Sequence, residues 1–210
     1  EFCANYRTIM AFSPKISIFV ALDSHILRIN SILIFINMYP INGSFLLATD
    51  VLSGSYFEDT VIFLVEHSDE SSFGFVINRS ARIPIDEVFA GFNAKKRKPF
   101  RFFYGGPVQE DSVHVLEIGK PFFEHTPEIS SGIWLKIVAD NEQIPILDLF
   151  SNDTTRIILG YAGWSPDQLH SEIDQGCWEV VNPHPLEIFS THRDETFNTP
   201  AEFKKNYILS

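Results

Sequence analysis

Cysteine is nearly absent: 210 residues hold only Cys3 and Cys177. The two lie far apart, with no CxxC pair and no Cys/His ligand spacing, so neither a disulfide framework nor a structural zinc site is supported. Such sparse use suits a reducing cytoplasm. Positive charge is also scarce. Sixteen Lys+Arg against 27 Asp+Glu leave a formal charge of −11, which repels phosphate backbones and anionic lipid heads and disfavours broad nucleic-acid binding. The one basic run, Ala94–Lys98 (AKKRK) with Arg101 beyond it, reads as a solvated loop. Long apolar runs are missing too. Lys15–Asn37 is rich in Ile and Leu, but Asp23, His25 and Arg28 interrupt it, leaving less than the roughly 18 consecutive apolar residues of a membrane span. Its apolar part comes too late, and without a small-residue cleavage site, for a signal peptide.

The signatures of several chemistries are lacking as well. No GxSxG elbow is present, and no Ser or Cys sits in an activated setting. Cys177 follows a predicted helix C-terminus, where the dipole opposes thiolate formation. FFYGGPVQ lacks the third glycine and the Lys-Ser/Thr of nucleotide loops. VEHSDE gathers Glu66, His67, Asp69 and Glu70, but without HxH or HExxH spacing they read as polar caps at a strand end, not as a metal site. No cofactor and no metal are expected.

Phenylalanine is abundant, with 20 residues, and reads as core filling, because Phe buries a large area and carries no polar group to satisfy. Apolar runs bounded by turn residues predict strands at Ser44–Asp50, Thr60–Ser68, Phe73–Ser80, Val113–Gly119, Gly132–Val138 and Thr155–Trp164, and in PFRFFY and CWEVV. The second and third of these make a hairpin. Helices are predicted from Pro84 through IDEVFAGF, in IPILDLFSN, and in SPDQLHSEIDQG, with Ser165 as N-cap, Pro166 at the first position and Gly176 as C-cap. Strands interleaved with helices predict a mixed α/β (α+β) domain, a mixed sheet flanked by helices, with room for a small two-layer subdomain.

Polar and aromatic residues at predicted strand ends are the candidate ligand-binding positions: Asn78 and Arg79, Gly105 and Gly106, Tyr161 and Trp164, and Gln168 on the helix that follows. Arginine can hold a carboxylate or phosphate bidentately but also pairs structurally. A glycine turn bracketed by aromatics suits a planar ligand as well as packing.

Taken together, FLLATD, YFEDTVIFLVEHSDE, FGFVINR, YGGPVQ and LGYAGWSPDQLHSEI…CW, in that order, resemble the YqgE/AlgH family of bacterial proteins, over about Gly43 to Phe189. The characteristic positions include Phe57, Thr60, Glu66, His67, Asn78, Arg79, Gly105, Gly106, Pro107, Gly160, Tyr161, Trp164, Gln168, Glu172 and Trp178. The resemblance implies an α/β fold, and some members carry a transcriptional-regulator label. It also implies a native start at Met38, so residues 1–37 read as a non-family extension, 38–190 as the family-like domain and 191–210 as a divergent tail. Ser80 stands where the family usually has proline. The functional expectation is a cytoplasmic, non-catalytic binding or regulatory protein with a protein or small-molecule partner. The alternative is a small-molecule-binding protein or enzyme whose site is formed by the Asn-Arg, Gly-Gly-Pro and Gly-Tyr-Ala-Gly-Trp motifs.

Overall fold

The computed structural model describes residues 39–83, 100–121, 126–130, 132–138, 154–190 and 197–209. Ten strands lie within them. β1 (Phe45–Ala48), β2 (Val61–His67) and β3 (Ser72–Val76) are successive antiparallel neighbours, and β4 (Ser80–Ile83) pairs with β5 (Phe100–Tyr104). β6 (Val108–Ile118), β7 (Glu128–Ser130), β8 (Ile133–Val138), β9 (Thr155–Trp164) and β10 (Trp178–Val181) complete the sheet in the order β10-β1-β2-β3-β9-β6-β8-β7. The helices are short: a 3-10 turn at Asp50–Leu52, α1 (Gln168–Asp174), α2 (Pro185–Ser190) and α3 (Pro200–Tyr207).

The predicted β2–β3 hairpin forms, with His67 opposite Ser72 and a bulge between Leu64 and Glu66. The predicted third strand ends at Val76, and the chain resumes extended structure at Ser80. The strand predicted from Val113 starts five residues earlier, at Val108, past an irregular step at Gln109, whose φ is +47°. The helices predicted from Pro84 and in IPILDLFSN, the AKKRK run and residues 1–38 lie outside the described residues.

The expected α/β fold is corrected. Of the strand pairings, only β5–β9 is parallel; every other one is antiparallel. The sheet is a curled, largely antiparallel half-barrel rather than a mixed sheet between helical layers. The expectation rested on strands interleaved with helices, and runs such as FLLA and VIFLV carry no polar alternation to mark them as antiparallel. Here both faces of an antiparallel sheet are covered, one by Phe189, Phe197 and Phe203 from the C-terminal part of the chain, the other by Leu52 of the 3-10 turn and Leu169 of α1. Phe45, Leu47, Val61, Phe63, Val65 and Phe75 point into one cluster, while Leu46, Ile62, Leu64 and Val76 point into another, the period-two alternation of a strand.

The curl is visible where the two ends of the sheet meet. A Cβ on Gly43, just before β1, would lie 2.7 Å from Ser130 Oγ on β7. The larger cluster is phenylalanine-rich, gathering Phe45, Phe63, Phe75 and Phe103 from the strands with Phe189, Phe197 and Phe203 from the C-terminal part of the chain. Each buried aromatic of this size removes enough apolar surface to contribute about 2 kcal/mol.

β9 organises the sheet. One of its edges pairs with β6 from Thr155 to Tyr161. The other takes β5 at Ile157–Leu159 and then β3 at Ala162–Trp164. The sheet therefore forks along a single ten-residue strand.

Candidate functional site

Two of the quoted motifs meet at the fork through their backbones. The Gly105 N–H donates to Leu159 O at 2.8 Å, and its carbonyl accepts from Val76 N–H at 2.8 Å. A Cβ on Gly105 would collide with the Gly160 carbonyl, and one on Gly106 with the backbone of Tyr161 and Ala162. Gly160, at φ +66°, would in turn place a Cβ 2.6 Å from Gly106 O. Gly-Gly-Pro and Gly-Tyr-Ala-Gly-Trp are thus two halves of one contact that only hydrogen side chains permit.

Asn78 and Arg79 stand beside this contact, since Tyr104 N–H donates to Arg79 O at 2.9 Å. The Asn78 Oδ1 accepts from Val61 N–H at 2.9 Å, and its Nδ2 donates to the carbonyls of Asp59 at 2.7 Å and Asn198 at 2.9 Å. The Arg79 guanidinium donates to Tyr56 O at 2.6 Å and Glu58 O at 2.9 Å, and lies 5.1 Å from the centroid of the Tyr56 ring. Both side chains bind backbone carbonyls, fastening the 56–59 turn to the end of β3. Tyr56 and Tyr104 are exposed on either side, at 42% and 43%.

Tyr161 is half-buried and packs edge-to-face on Phe73 and His114, each at 6.0 Å. His114 is buried, 4.9 Å from the Phe75 ring. Burial lowers its pKa, opposed by a hydrogen bond with the Ile158 backbone, and its Nδ1 has no partner among the described residues.

Trp164 and Gln168 belong elsewhere. Tyr161 packs against the larger cluster and Trp164 lies in the smaller one, so the GYAGW aromatics face opposite sides of β9. Trp164 Nε1–H donates to Glu172 Oε2 at 2.8 Å, and Trp178 Nε1–H donates to the same oxygen at 2.7 Å. Gln168 Nε2 donates to Glu172 Oε1 at 2.9 Å, while Gln168 Oε1 accepts from Ser165 N–H and Oγ–H, both at 3.1 Å. Ser165 is therefore bound by Gln168 rather than capping the helix itself. The N-cap is Asp167, in the left-handed region at φ 62°, and the predicted positions of Ser165 and Pro166 are corrected accordingly. The C-terminus is a Schellman turn: Cys177 N–H donates to Glu172 O and Gly176 N–H to Ile173 O, both at 2.9 Å, with Gly176 at φ 75° just past the cap Gln175.

Glu172 is the residue that reasoning from chemistry missed. It is buried at 7% exposure and joins two tryptophans and a glutamine from three segments. The available signal was Gln168 and Glu172 four apart on one helical face beside Leu169 and Ile173. Cys177 is buried in the same cluster as the two tryptophans. Beyond it, the rings of His67 and His170 meet at a tilt of 58° with centroids 5.0 Å apart, and His170 also meets Tyr39 at 6.5 Å. Among the described residues no group of three or more His, Cys, Asp or Glu is placed to hold a metal ion, and no helix is long and apolar enough to cross a membrane.

The fold has solved counterparts. The solution structure of the AlgH protein from Pseudomonas aeruginosa superposes with a TM-score of 0.58 at 24% identity, covering 79% of this chain and 85% of that one. Protein DIP2367 from Corynebacterium diphtheriae gives 0.56 at 22%, covering 70% and 78%. Among sequences, a UPF0301 protein of Chlorobium luteolum is 32% identical over 165 residues, 77% of this chain and 85% of the relative. A UPF0301 protein of Streptomyces avermitilis is 31% identical over 172 residues, covering 79% and 88%. A family model described as AlgH-like matches residues 45–204, which takes in the glycine contact, the Asn78–Arg79 clamp and the Glu172 network, and the chain belongs to that AlgH-like family.

Proposed function

We propose that the protein is a cytoplasmic, non-catalytic binding protein with a regulatory role, acting through a protein partner at the surface around Arg79. The observation that carries this reading is the use of the polar groups at the fork. Asn78 and Arg79 spend their donors on backbone carbonyls, whereas Tyr56 and Tyr104 stay more than two-fifths exposed beside them. Tyrosine and arginine are enriched where proteins meet, because each combines a large apolar body with a polar tip. The charge of −11 favours such a partner over direct contact with a DNA backbone. The test places a photo-crosslinking side chain at position 56 or 104 and, as a control, at exposed Ile137 on β8, in the organism's own cells. A discrete adduct from 56 and 104 but not 137 is expected. Equal labelling from all three positions, or tight sequence-selective DNA binding at physiological salt, defeats the proposal.

A second reading places a small-molecule ligand at the same fork, favoured by the adjacency of Asn78, Arg79, Gly105, Gly106 and half-buried Tyr161. A metabolite that raises the melting temperature of the wild type and not of Tyr161→Ala selects this reading instead.

A further inference from the structure

His170 occupies the outer side of the same helix that carries Gln168 and Glu172. Two positions along a helix stand about 200° apart, so while Glu172 binds the indoles, His170 meets the ring of His67 from the end of β2, 5.0 Å away, and that of Tyr39 at 6.5 Å. His67 is fixed on its own side: its Nδ1 lies 2.7 Å from Ser72 Oγ on β3, and its backbone N–H donates to Asn42 Oδ1 at 2.7 Å. We propose that the His67–His170 pair is an acid-sensitive latch that holds α1 against the β2–β3 hairpin and releases it on acidification.

Geometry sets the sign. Two neutral imidazoles in contact share a partly buried surface, whereas two imidazolium rings at this spacing repel one another where solvent screens poorly. The groups facing the pair leave that repulsion weakly compensated. Against His67 stand the Ser72 hydroxyl from β3, the Asn42 amide, Asp69 from the hairpin turn and His170 from α1; against His170 stand His67 and the Tyr39 phenol. Asp69 raises the His67 pKa less than burial and His170 together lower it. The released helix takes Gln168 and Glu172 with it, so the latch exposes the edge of the Trp164–Trp178 pair. This inference is independent of the partner surface at Arg79.

The full-length protein is titrated from about pH 8 to about pH 5, spanning the ordinary imidazole range, with tryptophan emission as the readout. Wild type is expected to shift to the red on acidification, and His170→Gln to stay flat over the same window. Trp134, the third tryptophan, lies on β8 and is common to both proteins, and buried His114 is unchanged, so the difference between the curves belongs to the pair. His67→Gln, which keeps a polar group for Ser72, should behave like His170→Gln. Amide exchange in wild type gives a check that needs no substitution: residues 168–174 should lose up to about tenfold in protection over the last pH unit relative to β1 and β2, after correction for intrinsic rates, the limit set by one linked proton. A wild-type emission curve that stays flat, a His170→Gln curve that follows wild type, or exchange in α1 that moves only in step with β1 and β2 overturns the latch.

Discussion

Glu172 shows at the scale of one residue how a buried carboxyl group is held by neutral donors from three segments. Its acceptors take two indole N–H groups and a glutamine amide, all neutral. A buried donor that loses its acceptor costs roughly 1–3 kcal/mol. Glu172→Ala strands two such indoles, so it should lower unfolding free energy by about 3 kcal/mol, measured as a shift in urea midpoint at unchanged m. Glu172→Gln, which keeps one carbonyl acceptor, should cost about half as much. Equal losses for the two would show that side-chain volume, and not acceptance, is what matters. The sequence marked Trp164, Gln168 and Trp178 but gave no way to see their common partner, because α1 must first fold back on β9 and β10 before three segments face one oxygen. Arg79 illustrates the same limit: its clamp on Tyr56 and Glu58 depends on a turn whose shape no spacing rule encodes.

At the scale of elements, the glycines separate two kinds of constraint. Gly105 has no positive φ, yet a Cβ there meets the Gly160 carbonyl and, at 2.5 Å, Ile158 Cγ2. Gly119 has φ +87° and nothing within 4 Å. Gly105→Ala should therefore destabilise by forcing β5 away from β9, by about 2–3 kcal/mol. Gly119→Ala pays only the left-handed backbone cost of about 1 kcal/mol. Thermal melts of the two variants check the order, and a reversed ranking rejects the steric account of the fork. Strands were readable where apolar residues dominate, as in β1, β2, β9 and β10, and α1 was readable from its apolar spacing and Gly176, although it starts past Ser165 and Pro166. β4 (SARI) and β7 (EIS) are short and carry no apolar run. The sheet class was misread because burial on both faces erased the polar alternation that normally betrays an antiparallel strand.

For the molecule as a whole, two histidines among the described residues weaken the fold in acid. Burial lowers the pKa of His114, and burial together with His170 lowers that of His67. Below an unfolded-state pKa of about 6.5 the unfolded chain takes protons that these folded rings resist. Stability is therefore full above that pH and declines as pH falls through and below it, each ring adding a slope of at most about 1.4 kcal/mol per pH unit. Urea midpoints at a series of pH values should fall on acidification in wild type and more gently in His114→Leu. A parallel fall in the variant would assign the acid response to other groups.

β9 meets β3, β5 and β6, and all three precede it in the chain. A ribosome therefore delivers the strand that joins the two arms of the fork after nearly everything it joins, and delivers β10, the outer neighbour of β1, later still. Such pairings are distant in sequence and slow to close. Until β9 emerges, the phenylalanine-lined strands already made have no completed sheet to enter. The interval of synthesis between β3 and β9 is when this chain is most exposed to aggregation and most dependent on chaperones.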